Sequence, residues 1–182
     1  QGLTCVYPTG LAIRPDDPAT VYATAHGTGI FKTNNAGGSW LLMPSDNLVP
    51  RAPLVDPSNP NRLYVGKNSE VCATEDDGIT WSCTTLDPPA SYADCCSVEL
   101  MSLLGLQQAG RLVIGAGFVD NTATQFKFVD GGIYTSTDYG ASWEYVDVGE
   151  EIAPVTVLAA DPLNPATIYA GTDNRTEDSG TC

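Results

Sequence analysis

Three observations predict that this chain is an all-β protein built from consecutive four-stranded antiparallel units. A phrase of the form S/T-x-D/N-x-G-x-S/T-W occurs three times in the 182 residues. A second phrase, in which two prolines bracket a turn before a β-branched and aromatic run, also occurs three times. Eighteen glycines and thirteen prolines supply the short turns of such a fold. Repeats with a period near 40 residues indicate a repeat architecture.

The first phrase has the chemistry of a tight hairpin loop. Its third residue is a short acceptor for nearby backbone N–H groups, its glycine permits positive φ, and its tryptophan buries a large ring beside the next strand. The copies occupy residues 33–40, 74–81 and 136–143, and we call these segments the box loops. Their predicted structural residues are Asn35, Gly37 and Trp40; Asp76, Gly78 and Trp81; and Asp138, Gly140 and Trp143.

The second phrase predicts the corner between the first two strands of the first, second and partial fourth units. It occupies residues 15–23, 56–66 and 161–171. Together the phrases predict one module over residues 1–182, with units at about 11–50, 51–90 and 96–150 and a partial unit at 152–182. The spacing is 41 residues between the first two box tryptophans and 62 between the last two. The third unit is therefore expected to carry an insertion.

The two phrases resemble the Asp-box (BNR) repeats of sialidase-like β-propellers. The proline-bracketed phrase is most similar to the propeller family that includes family 74 xyloglucanases and sortilin-type domains. The resemblance covers nearly the whole chain and implies a β-propeller-like fold of consecutive blades. In that family the box lies at the blade periphery, away from the ligand-binding face. The resemblance therefore specifies fold and leaves function open.

Charge and composition exclude several classes of partner. The chain carries 22 acidic and 8 basic residues, a formal net charge of −14. Nucleic acids and anionic membranes need clustered Lys and Arg, so neither is expected as a partner. No segment reaches the roughly 18 consecutive apolar residues of a membrane span. Six cysteines indicate an oxidising compartment, and we expect a secreted protein.

One disulfide is predicted from the register of a box hairpin. Thr74 pairs with Trp81, so Cys72 and Cys83, two residues further along each strand, face each other. Directly opposed residues lie about 4.5–5.5 Å apart at Cα, within disulfide reach. The same slot holds an apolar pair in the other units: Phe31 with Leu42, and Tyr134 with Tyr145. A zinc site is disfavoured, because the sequence has no Cys-x-x-Cys phrase and no second histidine.

Four cysteines then remain: Cys5, Cys95, Cys96 and Cys182. We favour Cys5 and Cys182 each bonding one member of the adjacent pair, since neighbouring side chains in a strand point opposite ways. The alternative is a Cys5–Cys182 bond that ties the termini together. The pairing of these four stays open at this point.

No catalytic, cofactor-binding or metal-binding residue is predicted. The only histidine, His26, lies in a glycine-rich loop. The arginines show no sialidase-like cluster, and Arg14 and Arg62 sit at the proline corners. The box acids are committed to turns, and no EF-hand-like spacing supports calcium. We therefore expect that this chain alone carries no complete hydrolase site.

Two features remain as candidates for recognition or modification. The insertion, Val119–Asp130, lengthens the loop between the second and third strands of the third unit, and loops on rigid scaffolds often carry function. It is expected to be either a plain hairpin extension or a contact surface for a glycan or a partner subunit. Asn174 begins the sequon Asn-Arg-Thr and is the candidate glycosylation site.

The sequence thus predicts a secreted, non-enzymatic propeller module for extracellular recognition or assembly, with carbohydrate as the first ligand class. Alternatives are one part of a glycoside hydrolase, xyloglucanase-like or sialidase-like, and a structural subunit of an extracellular filament. The partners expected are glycans or further copies of the chain. The segment Gly2–Tyr7 reads as a strand outside the units, able to complete the fourth unit within one molecule or, as we favour, in a neighbour.

Overall fold

The computed structural model describes residue 3 and residues 6–44, 50–106, 108–148 and 152–173. The described chain is almost entirely β and is arranged in antiparallel sheets that follow one another in sequence. The predicted fold class is confirmed. The only helical element described is a single 3-10 turn, Ala90–Tyr92. None of the helical structure in the described ranges has the length and apolarity that a membrane span requires.

Three sheets have four strands each, and the fourth has two described strands. The first sheet comprises β1 (Tyr7–Arg14), β2 (Asp17–His26), β3 (Gly29–Thr33) and β4 (Leu41–Leu42). The second comprises β5 (Arg51–Val55), β6 (Leu63–Lys67), β7 (Glu70–Thr74) and β8 (Ser82–Thr85). The third comprises β9 (Cys96–Gly105), β10 (Leu112–Asp120), β11 (Phe128–Ser136) and β12 (Glu144–Val146), and the fourth β13 (Val155–Ala160) and β14 (Ile168–Thr172).

Within each sheet the strands pair in the order of the chain. The proline corners join the first and second strands, and the box loops join the third and fourth, as the two phrases predict. The equivalent register repeats: Ile13 pairs with Val21 in the first sheet, and Val55 pairs with Leu63 in the second. The repeated phrases therefore correspond to repeated structure.

The sheets stack through their first strands, with β1 against β5, β5 against β9 and β9 against β13. Buried apolar side chains fill the space between successive sheets. Between the first and second sheets these are Ala12, Tyr22, Ile30, Met43, Val55, Leu63, Val65 and Cys72. Between the second and third they are Tyr64, Val71, Leu86, Cys96, Val98, Leu100, Leu112, Ile114, Ala116, Phe118 and Tyr134. Burial of these faces is the main force that holds neighbouring sheets together.

One sequence-based expectation needs adjustment, and another is met. Tyr7 is not part of a separate strand but the first residue of β1, where it pairs with His26; most of the segment Gly2–Tyr7 lies outside the described residues. The insertion after Val119 lengthens the β10–β11 hairpin, and its last residues, Phe128–Asp130, belong to β11. It is thus an extension of an existing hairpin with a loop at its tip, which is one of the two forms expected from the sequence.

Candidate functional site

Strand direction divides the loops of the described chain into two groups. The proline corners and the box loops lie at one end of the sheets, which we call the box end. The hairpin loops 27–28, 68–69 and 121–127, together with the connection 86–95, lie at the opposite end, the loop end. This division follows from alternating strand directions in an antiparallel sheet.

Each box loop closes around its third residue. Asp76 Oδ1 accepts hydrogen bonds from the Thr80 backbone N–H (2.9 Å) and the Thr74 hydroxyl (2.8 Å), and Asp76 Oδ2 accepts from the Thr80 hydroxyl (2.6 Å). Asp138 makes the same three contacts, at 2.9, 2.8 and 2.6 Å, with Ser142 and Ser136. Asn35 accepts from the Ser39 N–H at 2.9 Å and donates to the Ser39 hydroxyl at 3.0 Å.

Two consecutive residues of each box loop have positive φ. The predicted glycines Gly37, Gly78 and Gly140 have φ of 89°, 85° and 81°. The residues before them are also left-handed, although they have side chains: Ala36, Asp77 and Tyr139, with φ of 52°, 58° and 62°. The sequence phrase identified the glycine but not its neighbour, because that position varies between copies. The hydrogen bonds around the third residue compensate for this strained conformation.

Hydrogen bonding to the box acids changes their titration. The hydroxyl and backbone N–H of Thr80 lower the pKa of Asp76 to about 2, and the equivalent groups of Ser142 lower the pKa of Asp138 to about 2. Both carboxylates are therefore charged acceptors that hold the loop. This is the turn role that the sequence predicts.

The box loops also join one sheet to the next. The Trp81 indole N–H is shared between the Gly78 carbonyl at 3.1 Å and the Pro44 carbonyl of the preceding sheet at 3.2 Å. The Tyr64 hydroxyl donates to the Tyr139 carbonyl at 3.1 Å, and burial raises the pKa of Tyr64 to about 12.

A groove of about 550 Å³ lies between the second sheet and the third box loop. The basic residue of this groove, Arg62, already contacts other side chains. Its guanidinium lies 4.5 Å from the Tyr139 ring centroid. It also forms an ion pair with Glu75 and lies 3.5 Å from the Asp56 carboxylate. The Arg62 Nη1 atom has no hydrogen-bond partner of good geometry, so its link with Asp56 is a looser ion pair. The groove is a packing feature of the joint between sheets.

The loop end is organised by the extended β10–β11 hairpin. Asp120 Oδ1 accepts from the Thr122 N–H (2.7 Å) and hydroxyl (2.6 Å), which closes the turn at the start of the loop. The Asp120 N–H donates to the Lys127 carbonyl at 3.0 Å, and the Asn121 N–H donates to the Cys95 carbonyl at 2.9 Å. The insertion is therefore fixed to the connection 86–95.

Two aromatic residues of this hairpin, Phe126 and Phe128, contact each other. Phe126 is 65% exposed, and its ring meets the Phe128 ring edge-to-face at a centroid distance of 5.0 Å. Phe128 lies against Gly117 of β10 and leaves no room for a Cβ there. Phe126 is thus an exposed aromatic ring with an ordered aromatic support.

Two carboxylates near the loop end are occupied by protein contacts. Asp130 is buried; its Oδ2 accepts from the Tyr92 hydroxyl at 2.5 Å, and its Oδ1 accepts from the Gly131 and Ile152 N–H groups at 2.7 and 2.9 Å. Glu99 forms an ion pair with Arg51, linking β9 to β5. These contacts hold the loop end in shape and engage the acids as acceptors.

The disulfides agree with one prediction and correct another. Cys72 and Cys83 are opposed in β7 and β8 and form the predicted bond, with a Cα–Cα distance of 4.0 Å. Cys95 and Cys96 bond each other, so the favoured pairing with Cys5 and Cys182 is wrong for these two. The alternation argument failed because Cys95 precedes β9 and only Cys96 lies within it. Cys5 and Cys182 lie outside the described residues.

Among the described residues, the histidine and the arginines other than Arg51 and Arg62 do not come together at one site. His26 is exposed at the end of β2, and Arg14 pairs with Asp16 at the first proline corner, 2.7 Å apart. Arg111 donates to Gln108 at 2.9 Å. Arg175 and the sequon residue Asn174 fall outside the described part of the chain. In the described ranges, no three His, Cys, Asp or Glu side chains are grouped closely enough to hold a metal ion.

Comparison with known proteins identifies the fold. No protein-family model and no curated protein matches the chain. Among solved structures, an ancestral GH74 enzyme matches 93% of this chain and 24% of its own, at 16% identity and a TM-score of 0.68. The GH74 xyloglucanase from Xanthomonas campestris matches 91% of this chain and 26% of its own, at 16% identity and a TM-score of 0.62.

YCF48 bound to a D1 peptide matches 89% of this chain and 46% of its own, at 19% identity and a TM-score of 0.56. These structures are β-propellers, and the likeness shows that the sheets of this chain are propeller blades. The chain spans about half the length of the YCF48 chain and about a quarter of the two enzyme chains.

Proposed function

We propose that this chain is a secreted, non-enzymatic module of an Asp-box β-propeller that recognises an extracellular ligand at its loop end. Carbohydrate is the ligand class to test first. The observation that carries the proposal is the exposed, supported ring of Phe126 on the one hairpin that the insertion lengthens.

The chemistry of this hairpin suits recognition. An exposed aromatic ring offers a flat apolar face, which complements the apolar C–H face of a sugar ring. Binding costs less when the anchor is already ordered. The hydrogen bonds that Thr122 donates to Asp120 and that Asn121 donates to Cys95 order this loop. Phe126 therefore has the features of a binding anchor.

Two acids of the loop end, Asp130 and Glu99, are engaged in protein contacts that favour binding over catalysis. A glycosidase needs two carboxylates that face the scissile bond. Asp130 is saturated by Tyr92 and two backbone N–H groups, and Glu99 is paired with Arg51. The net charge of −14 favours a neutral or cationic ligand.

Two disulfides and the acidic surface support secretion. The Cys72–Cys83 and Cys95–Cys96 bonds persist in an oxidising environment. We propose an extracellular location on this basis, with Asn174 as its candidate glycosylation site.

The alternative is that the blades belong to a larger glycoside hydrolase. The two GH74 enzymes resemble this chain over more than nine-tenths of its length, but it spans only about a quarter of theirs. In that case the catalytic carboxylates come from outside these 182 residues. The expected result for the isolated chain is no hydrolysis of xyloglucan or sialosides. Turnover that is lost on substitution of a loop-end carboxylate would establish the enzyme instead.

The binding test is a glycan array that includes xyloglucan oligosaccharides, followed by calorimetry on the best binder. Phe126→Ala is expected to weaken binding at least about tenfold, roughly 1.4 kcal/mol. The matched control is Ile79→Ala, which removes an exposed apolar side chain from the box end and should leave affinity unchanged. Since YCF48 is bound to a D1 peptide, a peptide panel is the second screen. Equal affinity of the wild type and Phe126→Ala would refute the proposed site.

A further inference from the structure

The disulfide between Cys95 and Cys96 lies where the connection 86–95 enters β9. A bond between consecutive residues closes a small ring that contains the peptide group joining them. Neighbouring side chains of an extended strand point to opposite faces, so the bond requires a turned backbone at Cys95. Cys95 does lie in a turn, in which its N–H donates to the Tyr92 carbonyl at 3.3 Å. The disulfide therefore fixes a local conformation that two free thiols would not impose.

The turn that this disulfide fixes holds both sides of the lengthened hairpin. On one side, the Cys95 carbonyl accepts from the N–H of Asn121 at 2.9 Å, and Asn121 is the first residue of the loop 121–127. On the other side, the Tyr92 hydroxyl donates to the buried Asp130 of β11 at 2.5 Å. The bond thus lies at the anchor of the loop that carries the exposed aromatic ring.

The other disulfide of the described chain, Cys72–Cys83, is placed differently. It joins positions of β7 and β8 that already oppose each other in the ladder, so these strands keep their pairing when the bond opens. Cys95 precedes β9 and lies outside its ladder. Opening Cys95–Cys96 therefore frees backbone that the sheet does not hold, and this changes the position of the Cys95 carbonyl.

We propose that Cys95–Cys96 is a redox-sensitive site that controls the order of the loop 121–127, and that a dithiol opens it. Cys95 is half-buried and Cys96 is 7% exposed, so Cys95 Sγ is the sulfur that a reagent reaches. A thiolate of the dithiol attacks Cys95 Sγ and displaces Cys96 as a thiolate, which takes up a proton. The second thiol of the reagent attacks the mixed disulfide and releases Cys95. The protein gains two electrons and two protons, and the reagent leaves as its own disulfide.

The consequence for binding rests on the function proposed above. Phe126 belongs to the loop 121–127, and a ligand binds at lower cost when its anchor is already ordered. Opening the bond releases the Asn121 anchor while it leaves the Phe126 side chain unchanged. Reduction is therefore expected to weaken ligand binding through loss of order in this loop.

Amide hydrogen exchange measured by NMR, without ligand, tests the proposal. The wild type is compared before and after treatment with dithiothreitol, and with the variant Cys95→Ser/Cys96→Ser, which cannot form the bond. The Asn121 amide is expected to exchange at least about fivefold faster in the reduced protein and in the variant, as the loss of one ordinary hydrogen bond implies. The Asp120 amide donates to the Lys127 carbonyl within the hairpin, at 3.0 Å. It is the internal control and should exchange at an unchanged rate.

The variant Cys72→Ala/Cys83→Ala separates the two disulfides. It should show the same response of the Asn121 amide to dithiothreitol as the wild type, and loss of that response would assign it to the hairpin disulfide instead. Alkylation followed by peptide mapping identifies the thiols that have formed.

Three further outcomes overturn the proposal. The first is an unchanged Asn121 exchange rate when Cys95 and Cys96 are both alkylated after reduction. The second is equal acceleration at Asn121 and Asp120, which indicates general loss of structure. The third is a Cys95–Cys96 bond that dithiothreitol does not open in the folded protein. Since no ligand is present, none of these results depends on the proposed function, and a chain that shows the expected exchange but binds no ligand would contradict that function alone.

Discussion

At the scale of single residues, one short acceptor determines the conformation of each box loop. Asp76, Asp138 and Asn35 bond the same backbone N–H four residues on. This role could be predicted from sequence, because acceptor, glycine and tryptophan recur at fixed spacing. The left-handed Tyr139 could not, because no side-chain type marks that position. The Cys95–Cys96 bond was also missed, since it depends on where β9 begins.

The box carboxylates are expected to make stability depend on pH. Their pKa of about 2 in the folded protein lies below the value of about 3.9 in an unfolded chain. Their stabilisation is therefore complete above about pH 4 and is lost as the pH falls towards 2. The double variant Asp76→Asn/Asp138→Asn should lose less stability over this range, because Asn35 shows that an amide fits the loop.

Urea unfolding at several pH values between 2 and 6 measures this effect. The double variant Asp94→Asn/Glu144→Gln, at two exposed acids outside the box loops, is the control for the loss of two negative charges. Identical slopes of unfolding free energy against pH for the wild type and the double variant would show that the loop bonds do not respond to protonation.

Removal of the Tyr64 hydroxyl is expected to destabilise the joint between the second and third blades. Tyr64→Phe removes the bond to the Tyr139 carbonyl and should lower the free energy of unfolding by about 0.5–1.5 kcal/mol. Tyr7→Phe, at an exposed ring, should have no effect. Equal midpoints in thermal and urea unfolding for both variants and the wild type would contradict this role.

At the scale of elements, the repeat period predicted the number and order of the blades. The insertion predicted that the third blade differs from the other two. The register of the second box hairpin was sufficient to assign Cys72–Cys83, because opposed positions in a hairpin follow from its loop. The sequence offered a hairpin extension as one form of the insertion. How its loop is held was not predictable, since this depends on the hydrogen bond that Asn121 donates to Cys95, a contact outside the hairpin.

The hairpin disulfide is expected to stabilise the fold. Replacing both Cys72 and Cys83 by Ala should lower the free energy of unfolding by about 2–3 kcal/mol under oxidising conditions, as expected for a short closed loop. In the presence of a reductant the wild type should lose stability and approach the double variant. Non-reducing peptide mapping checks the pairing, and a wild type insensitive to reductant would argue against a stabilising bond.

At the scale of the whole molecule, the two ends of the blades carry different structural features. The box end holds blades to one another through Trp81 and Tyr64, and the loop end presents Phe126. The fold class was predictable because the two phrases that form each blade's turns repeat in the sequence. The exposure of Ile13 and Tyr169 was not predictable, since these residues match the buried Val55 and Tyr64 in the repeated phrases and differ from them only in what covers them.

Hydrogen–deuterium exchange with and without the best-binding glycan tests the central claim, recognition at the loop end, most directly. Ligand at saturation is expected to slow exchange in residues 86–95 and 121–127 and to leave the box loops 74–81 and 136–143 unchanged. At a ligand concentration close to the Kd of the wild type, Phe126→Ala should show markedly less protection of residues 86–95 and 121–127 than the wild type does. Protection confined to the box loops, or no glycan binding at all, would contradict the account.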